Sequence, residues 1–394
     1  MESKGRRLRV LELSHAVAGP TATQILADYG ADVIKIERPQ GGDIFRDTPG
    51  MGPAFFLAVN RGKRSIVLDI GSKKGLKLFY DLVKRSDVLV ENLSPGTAEK
   101  LGVTASKVRR ANRRIVFCRI QSFGKGPMEK VPAFDPVLQA AVGIMSTTGF
   151  APNKYARAGV SIVDMSAGMH AAIGILFMLL SRERTGVGGL IEIPLYDSAS
   201  YYMSYWMTRF GLTGEDTMPL GSTHIFGAPY NLFKTSDGYV YIAVAGERDW
   251  ISFTKSLGFE DLASRSEYSS PFLRVENKQR LEEELSNRLR NLKTESVERA
   301  MLVARVPFSR LNSAKTLKSD PQFQARKLLR EYSFEGKRFE TVVNPCILNG
   351  KRRYAKENPP SLGEHTSEIL REVLGLRNEE IQSLAESKIV KSIK

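Results

Sequence analysis

The chain has 394 residues, 42% hydrophobic and 26% charged, which excludes a low-complexity polypeptide and leaves room for two packed domains. Two cysteines (Cys118, Cys346) and four scattered histidines exclude a disulfide framework and give no metal-ligand spacing, so no metal is expected. The formal net charge of +15 fits a phosphorylated ligand, an acidic substrate or a nucleic acid, yet the cations are interleaved with acids and a generally basic proteome explains the excess equally well.

No helix-turn-helix, RNA-recognition or zinc-finger pattern is present, so nucleic acid is not the expected partner. Residues 1–7 have no apolar stretch behind them, and no apolar run reads as long enough to span a bilayer. The expected location is cytoplasmic, with no membrane partner.

Residues 9–13 read as a first strand. Gly19-Pro20 is expected to break the chain before a helix over 21–29 that ends at Gly30. Residues 32–37 alternate as a second strand, 65–69 form a third, 73–85 a helix, and 87–91 and 115–120 two more strands. Helices between strands imply right-handed crossovers and a mostly parallel, doubly wound (Rossmann-like) α/β sheet, with ligands at the carboxyl ends of the strands. The first loop, His15-Ala16-Val17-Ala18-Gly19-Pro20, lacks the G-x-G-x-x-G pattern, which argues against a dinucleotide site. Asp135 reads as the N-cap of an apolar helix over 137–145.

Asp164 stands between the β-branched run 160–163 and the small residues Ser166, Ala167 and Gly168, at what reads as a strand-to-helix junction. Such an acid either caps its own helix or presents a carboxylate at the lip of a cleft, with backbone N–H groups aimed at it. An apolar helix over 172–180 and a strand over 189–195 follow. Residues 230–234 and 239–244 flank Thr235-Ser236-Asp237-Gly238, a hairpin turn, and charged helical stretches run over 249–304. The expected organisation is a large α/β domain over 1–221 and a small α+β domain over 222–320. Residues 321–394, including 341–348 and 366–376, would return to the first domain.

Several segments, in order, resemble the class III coenzyme A transferases (the CaiB/BaiF type, which includes formyl-CoA transferase). They are Val10-Leu11-Glu12-Leu13-Ser14-His15, Ala31-Asp32-Val33-Ile34-Lys35-Ile36-Glu37, Asn60-Arg61-Gly62-Lys63-Arg64-Ser65, Val90-Glu91-Asn92-Leu93-Ser94-Pro95-Gly96, the Asp164 segment, Tyr196-Asp197-Ser198 and Gly363-Glu364-His365-Thr366. The resemblance implies that Asp164 is a nucleophile that forms an acyl anhydride and then an aspartyl-CoA thioester. It implies coenzyme A and acyl-CoA as substrates, a carboxylic acid acceptor, no permanently bound cofactor, and an interlocked homodimer.

It also implies a coenzyme A site. Ala16, Val17 and Ala18 would bring backbone against the ligand, Arg38 would meet its nucleotide end and Leu68 its adenine. Asn92 and Leu93 would face the pantetheine–phosphate segment. Lys73 and Lys100 would supply charge beside Leu101, Ala133 and Phe134 would flank the thiol, and Leu195 the acyl end. Phe134 and Pro132 stand where formyl-CoA transferase has tyrosine and lysine, which argues for a larger or less polar acyl group.

Two other functions fit the same pattern. An α-methylacyl-CoA racemase needs a histidine where Phe134 stands. A non-catalytic acyl-CoA or nucleic-acid binding protein would keep the fold without the chemistry.

Overall fold

Strand β1 (Arg9–Leu13) is buried from Val10 to Leu13, Glu12 included, and sits in the middle of a six-stranded parallel sheet. Helix α1 (Ala18–Asp28) leads to β2 (Asp32–Glu37), α2 (Gly52–Val59) to β3 (Arg64–Val67), and α3 (Lys73–Lys84) to β4 (Val88–Glu91). Helices α4 (Thr97–Lys100) and α5 (Ala105–Ala111) precede β5 (Val116–Gln121). Helices α6 (Asp135–Ala141) and α7 (Ile162–Thr185) precede β6 (Gly189–Pro194), and α8 (Leu195–Ser200) and α9 (Ser204–Thr213) follow. The order β3-β2-β1-β4-β5-β6 is doubly wound, with its switch point between β1 and β4. The computed structural model describes residues 7–150 and 153–391, so residues 1–6, at the start of the basic N-terminal segment, lie outside the described residues.

Three local expectations are corrected. Gly19 and Pro20 do not break the chain: α1 begins at Ala18, and a proline in the first helical turn forfeits no helix bond. Residues 160–163 are not a strand: α7 already starts at Ile162, and Asp164 lies in its first turn. β2 is not half-exposed: Val33 to Glu37 are all buried, because Lys35 and Glu37 point into an internal layer of charges.

Helix α7 is 24 residues long and, by length and composition, apolar enough to cross a membrane, contrary to the sequence reading. In the fold it packs against α1, α6, α8, β5 and β6.

The chain divides into two compact units. The first comprises Met1–Ile144, Arg157–Glu215 and Lys327–Lys394, and the second Met145–Ala156 and Asp216–Arg326. Residues 145–156 thus group with the second unit, although they fall within the 1–221 span expected for the first domain. In the first unit the helix Thr366–Leu374 lies on β3, where His365 N–H donates to Ser65 O (3.0 Å) and Val67 N–H to Thr366 Oγ1 (3.2 Å). The second unit holds an antiparallel sheet of β7 (Tyr230–Lys234), β8 (Tyr239–Ala243) and β9 (Phe308–Arg310). Trp250, Phe253, Tyr268, Leu285 and Met301 fill its core. Asp237 in the β7–β8 turn accepts the Thr294 N–H at 2.8 Å.

Candidate active site

The loop after β1 crosses the switch point of the sheet. His15 N–H donates to Asn92 Oδ1 and Asn92 Nδ2 donates back to His15 O, both at 2.9 Å. This reciprocal pair joins the loops after β1 and β4. Ala16 takes a left-handed backbone (φ 63°), and its N–H donates to Asp43 Oδ1 at 3.3 Å. Gly19 lets α1 approach the loop: a Cβ there would fall 2.5 Å from Ser14 Cβ.

A buried layer of charge supports this loop. Glu12 on β1 receives Lys35 Nζ at 2.6 Å and Lys63 Nζ at 2.7 Å, and none of these three side chains reaches solvent. Lys35 also donates to Ser14 O (3.0 Å), and Lys63 to Pro20 O (3.0 Å). Asp43 Oδ2 lies 2.8 Å from Lys35 Nζ. Burial disfavours the Glu12 carboxylate, but the two ammonium groups outweigh it and hold its pKa at about 2. Desolvation dominates at Lys63, whose pKa falls to about 8 despite Glu12.

A cavity of about 400 Å³ opens at the carboxyl ends of the strands. Arg38, Leu68, Leu93 and Leu101, four of the residues expected to meet coenzyme A, line it. His15, Asp43, Asp69 and Thr97 line it too, and the sequence reading had not placed them in the site. A signal was available for His15, which lies two residues past the end of β1. Of the remaining residues, Ala16, Val17, Ala18 and Asn92 form the loop junction beside it, while Lys73 and Lys100 are exposed on their helices.

Asp164 occupies the first turn of α7 and is half-buried. Gly168, one turn further on, is what lets α7 meet α1: a Cβ there would come within 2.8 Å of Ala18 O and the Thr21 side chain. The loop bearing Ala16–Ala18 and the helix bearing Asp164 are therefore packed directly together. Asp135 was expected to cap its own helix. Instead its carboxylate accepts the N–H groups of Val163 (2.7 Å) and Asp164 (3.1 Å), at the start of α7. Burial and then the Asp135 charge push the Asp164 pKa up to about 7.

Near this turn Ala133 N–H donates to Ser122 Oγ (3.3 Å), Phe134 is 66% exposed, and Leu195 is buried at the start of α8. Among the described residues no cluster of histidine, cysteine or acid side chains could hold a metal. A partly desolvated carboxylate at a helix N-terminus, next to a second carboxylate, is suited to attack on an acyl carbon or to proton exchange.

The pattern of CoA-transferase family III matches residues 6–366. The chain is 31% identical over 392 residues to the human succinyl-CoA:glutarate CoA-transferase, covering 97% of this chain and 89% of that protein. It is 34% identical to the formyl-CoA:oxalate CoA-transferase of Streptomyces coelicolor, with 97% and 98% covered. Among solved structures, a CaiB/BaiF family protein from Brucella suis matches with a TM-score of 0.85 at 30% identity, covering 93% of this chain and 98% of that one. With a family match over nearly the whole chain, relatives above 30% identity and the same fold, the chain belongs to CoA-transferase family III, a family of enzymes.

Proposed function

We propose that this CoA-transferase moves coenzyme A between two carboxylic acids through covalent intermediates on Asp164. The observation that carries this reading is Asp164 itself, a half-buried carboxylate in the first turn of α7 with a pKa near 7. One Asp164 oxygen attacks the thioester carbon of the donor. The C–S bond breaks, coenzyme A leaves as thiolate, and a mixed anhydride remains.

The thiolate then attacks the Asp164 acyl carbon. The anhydride C–O bond breaks, the donor acid leaves as carboxylate, and Asp164 carries the CoA thioester. The acceptor carboxylate attacks that thioester and the same two steps run in reverse, which restores Asp164. One thioester replaces another, so the exchange needs no external energy source. Its demand on the protein is that water stay away from the anhydride.

The coenzyme lies along the cavity at the carboxyl ends of the strands, with Arg38 toward its nucleotide and Leu68 and Leu101 beside the ring. Ala133, Phe134 and Leu195 stand toward the acyl end. The acceptor named for the human relative, glutarate, is a dicarboxylate larger than oxalate, which supports a dicarboxylic acceptor here. The working form is an interlocked homodimer. Met165, Met169, Ile173, Phe177 and Leu180 form an exposed apolar stripe along α7, which supports burial against a second copy.

The reading is tested by incubating the protein with succinyl-CoA and isotopically labelled glutarate. Label should enter the thioester pool. Deuterium uptake at the α-carbon of a 2-methylacyl-CoA, with no acid exchange, would instead establish a racemase. Tight acyl-CoA binding with neither reaction would leave a binding protein.

A further inference from the structure

Helix α7 begins without a cap of its own. Ser161 holds the N-cap position and its side chain makes no capping bond. The first N–H groups are satisfied from another helix, by Asp135 Oδ2. The other Asp135 oxygen accepts Gln139 Nε2 at 2.5 Å, and Gln139 Oε1 in turn accepts the Ala158 N–H at 2.8 Å. Asp135 is buried, and the groups that hold it are three neutral N–H donors. The Asp135 carboxylate thus lies against the first turn of α7, beside the next carboxylate along.

We infer that Asp135 is a positioning residue for Asp164: it fixes the first turn of α7 from outside, and its charge favours the acylated, uncharged states of Asp164. This rests on the covalent reading given above. When an Asp164 oxygen bonds to the thioester carbon, the negative charge departs on the coenzyme A sulfur. The repulsion between the two carboxylates ends in the anhydride and stays absent in the aspartyl thioester. Before acylation, the same repulsion keeps Asp164 basic and so more nucleophilic. The elements packed on α7 also carry Asp28 on α1, Cys118 and Arg119 on β5, Glu192 on β6, and Tyr196 and Asp197 on α8. Asp135 is the charged group that acts on Asp164.

Asp135→Asn keeps an oxygen for the two N–H groups and removes the charge, and Asp135→Ser gives a second uncharged cap. Wild type and both variants are assayed for the pH dependence of kcat/KM. The fraction of Asp164 carrying coenzyme A during turnover is read by mass spectrometry after an acid quench. The acid limb should move down by about one pH unit in the uncharged variants. The Asp164–CoA fraction should fall severalfold, while KM for acyl-CoA stays within about twofold of wild type. An unmoved acid limb with an unchanged adduct fraction in a folded variant would overturn the inference. Absence of any adduct on Asp164 in turning-over wild type would overturn the covalent reading itself, a result distinct from either.

Discussion

Lys63 Nζ sits 2.7 Å from Glu12 Oε2, with neither side chain exposed to solvent. Lys63 extends this contact to Pro20 O in the first turn of α1, so the charge layer and the loop before α1 are one hydrogen-bonded unit. Removing one member leaves an unpaired charge in the interior. Glu12→Gln should therefore destabilise the protein by about 3–5 kcal/mol, read as a lower midpoint in urea. The sign with pH follows from the lowered pKa of Glu12. Its contribution is complete above its ordinary value of 4.5 and is lost as pH falls through about 2. The variant should show a shallower loss of stability over that window, and an equally steep one would contradict this role.

Gly168 lies where α7 packs on α1, against Ala18 and Thr21. Gly168→Val places carbon where Ala18 O and Thr21 already stand, so the helices must separate. The expected cost is about 1–3 kcal/mol, seen by thermal melting. Because Asp164 lies one turn away, kcat should fall more than KM rises, and a variant with wild-type kcat would show that this packing does not set the position of Asp164.

Arg38 lines the cavity and donates through Nε to Gly42 O at 3.0 Å, which leaves its other guanidinium nitrogens for a phosphate. Arg38→Ala should raise KM for acyl-CoA roughly tenfold with kcat within about twofold, as expected for loss of one charged hydrogen bond. An unchanged KM in this variant would move the coenzyme elsewhere.

The apolar stripe of α7 gives a prediction about assembly. Interlocked chains part only by unfolding, so dilution should leave a dimer intact in the analytical ultracentrifuge. A freely reversible monomer–dimer equilibrium would contradict the interlocked form. Phe177→Lys, a charge in the middle of the stripe, should lower the yield of assembled protein.

The sheet was legible because its strands are short apolar runs between helices, and the Asp237-Gly238 turn because few sequences other than a hairpin need it. Residues whose roles depend on distant partners were not legible. Lys35 and Glu37 look like the outward half of an alternating strand, and Glu12 and Asp43 beside Lys35, with Arg46 beside Glu37, make their burial possible. Ile162 and Val163 have strand propensity. They start a helix because Asp135, 28 residues earlier, supplies the acceptor that the local sequence lacks. Asp135 itself looked like a local cap for the same reason: sequence spacing cannot tell which helix a carboxylate will serve.

If Asp164 carries the transferred group, the acylated residue can be trapped. Protein mixed with acyl-CoA and then hydroxylamine is digested and mapped by mass spectrometry. The account predicts a hydroxamate on Asp164 and on no other acid, and its complete loss together with all exchange activity in Asp164→Asn, with acyl-CoA binding retained. Wild-type turnover by Asp164→Asn, or a hydroxamate on a different acid, would contradict it.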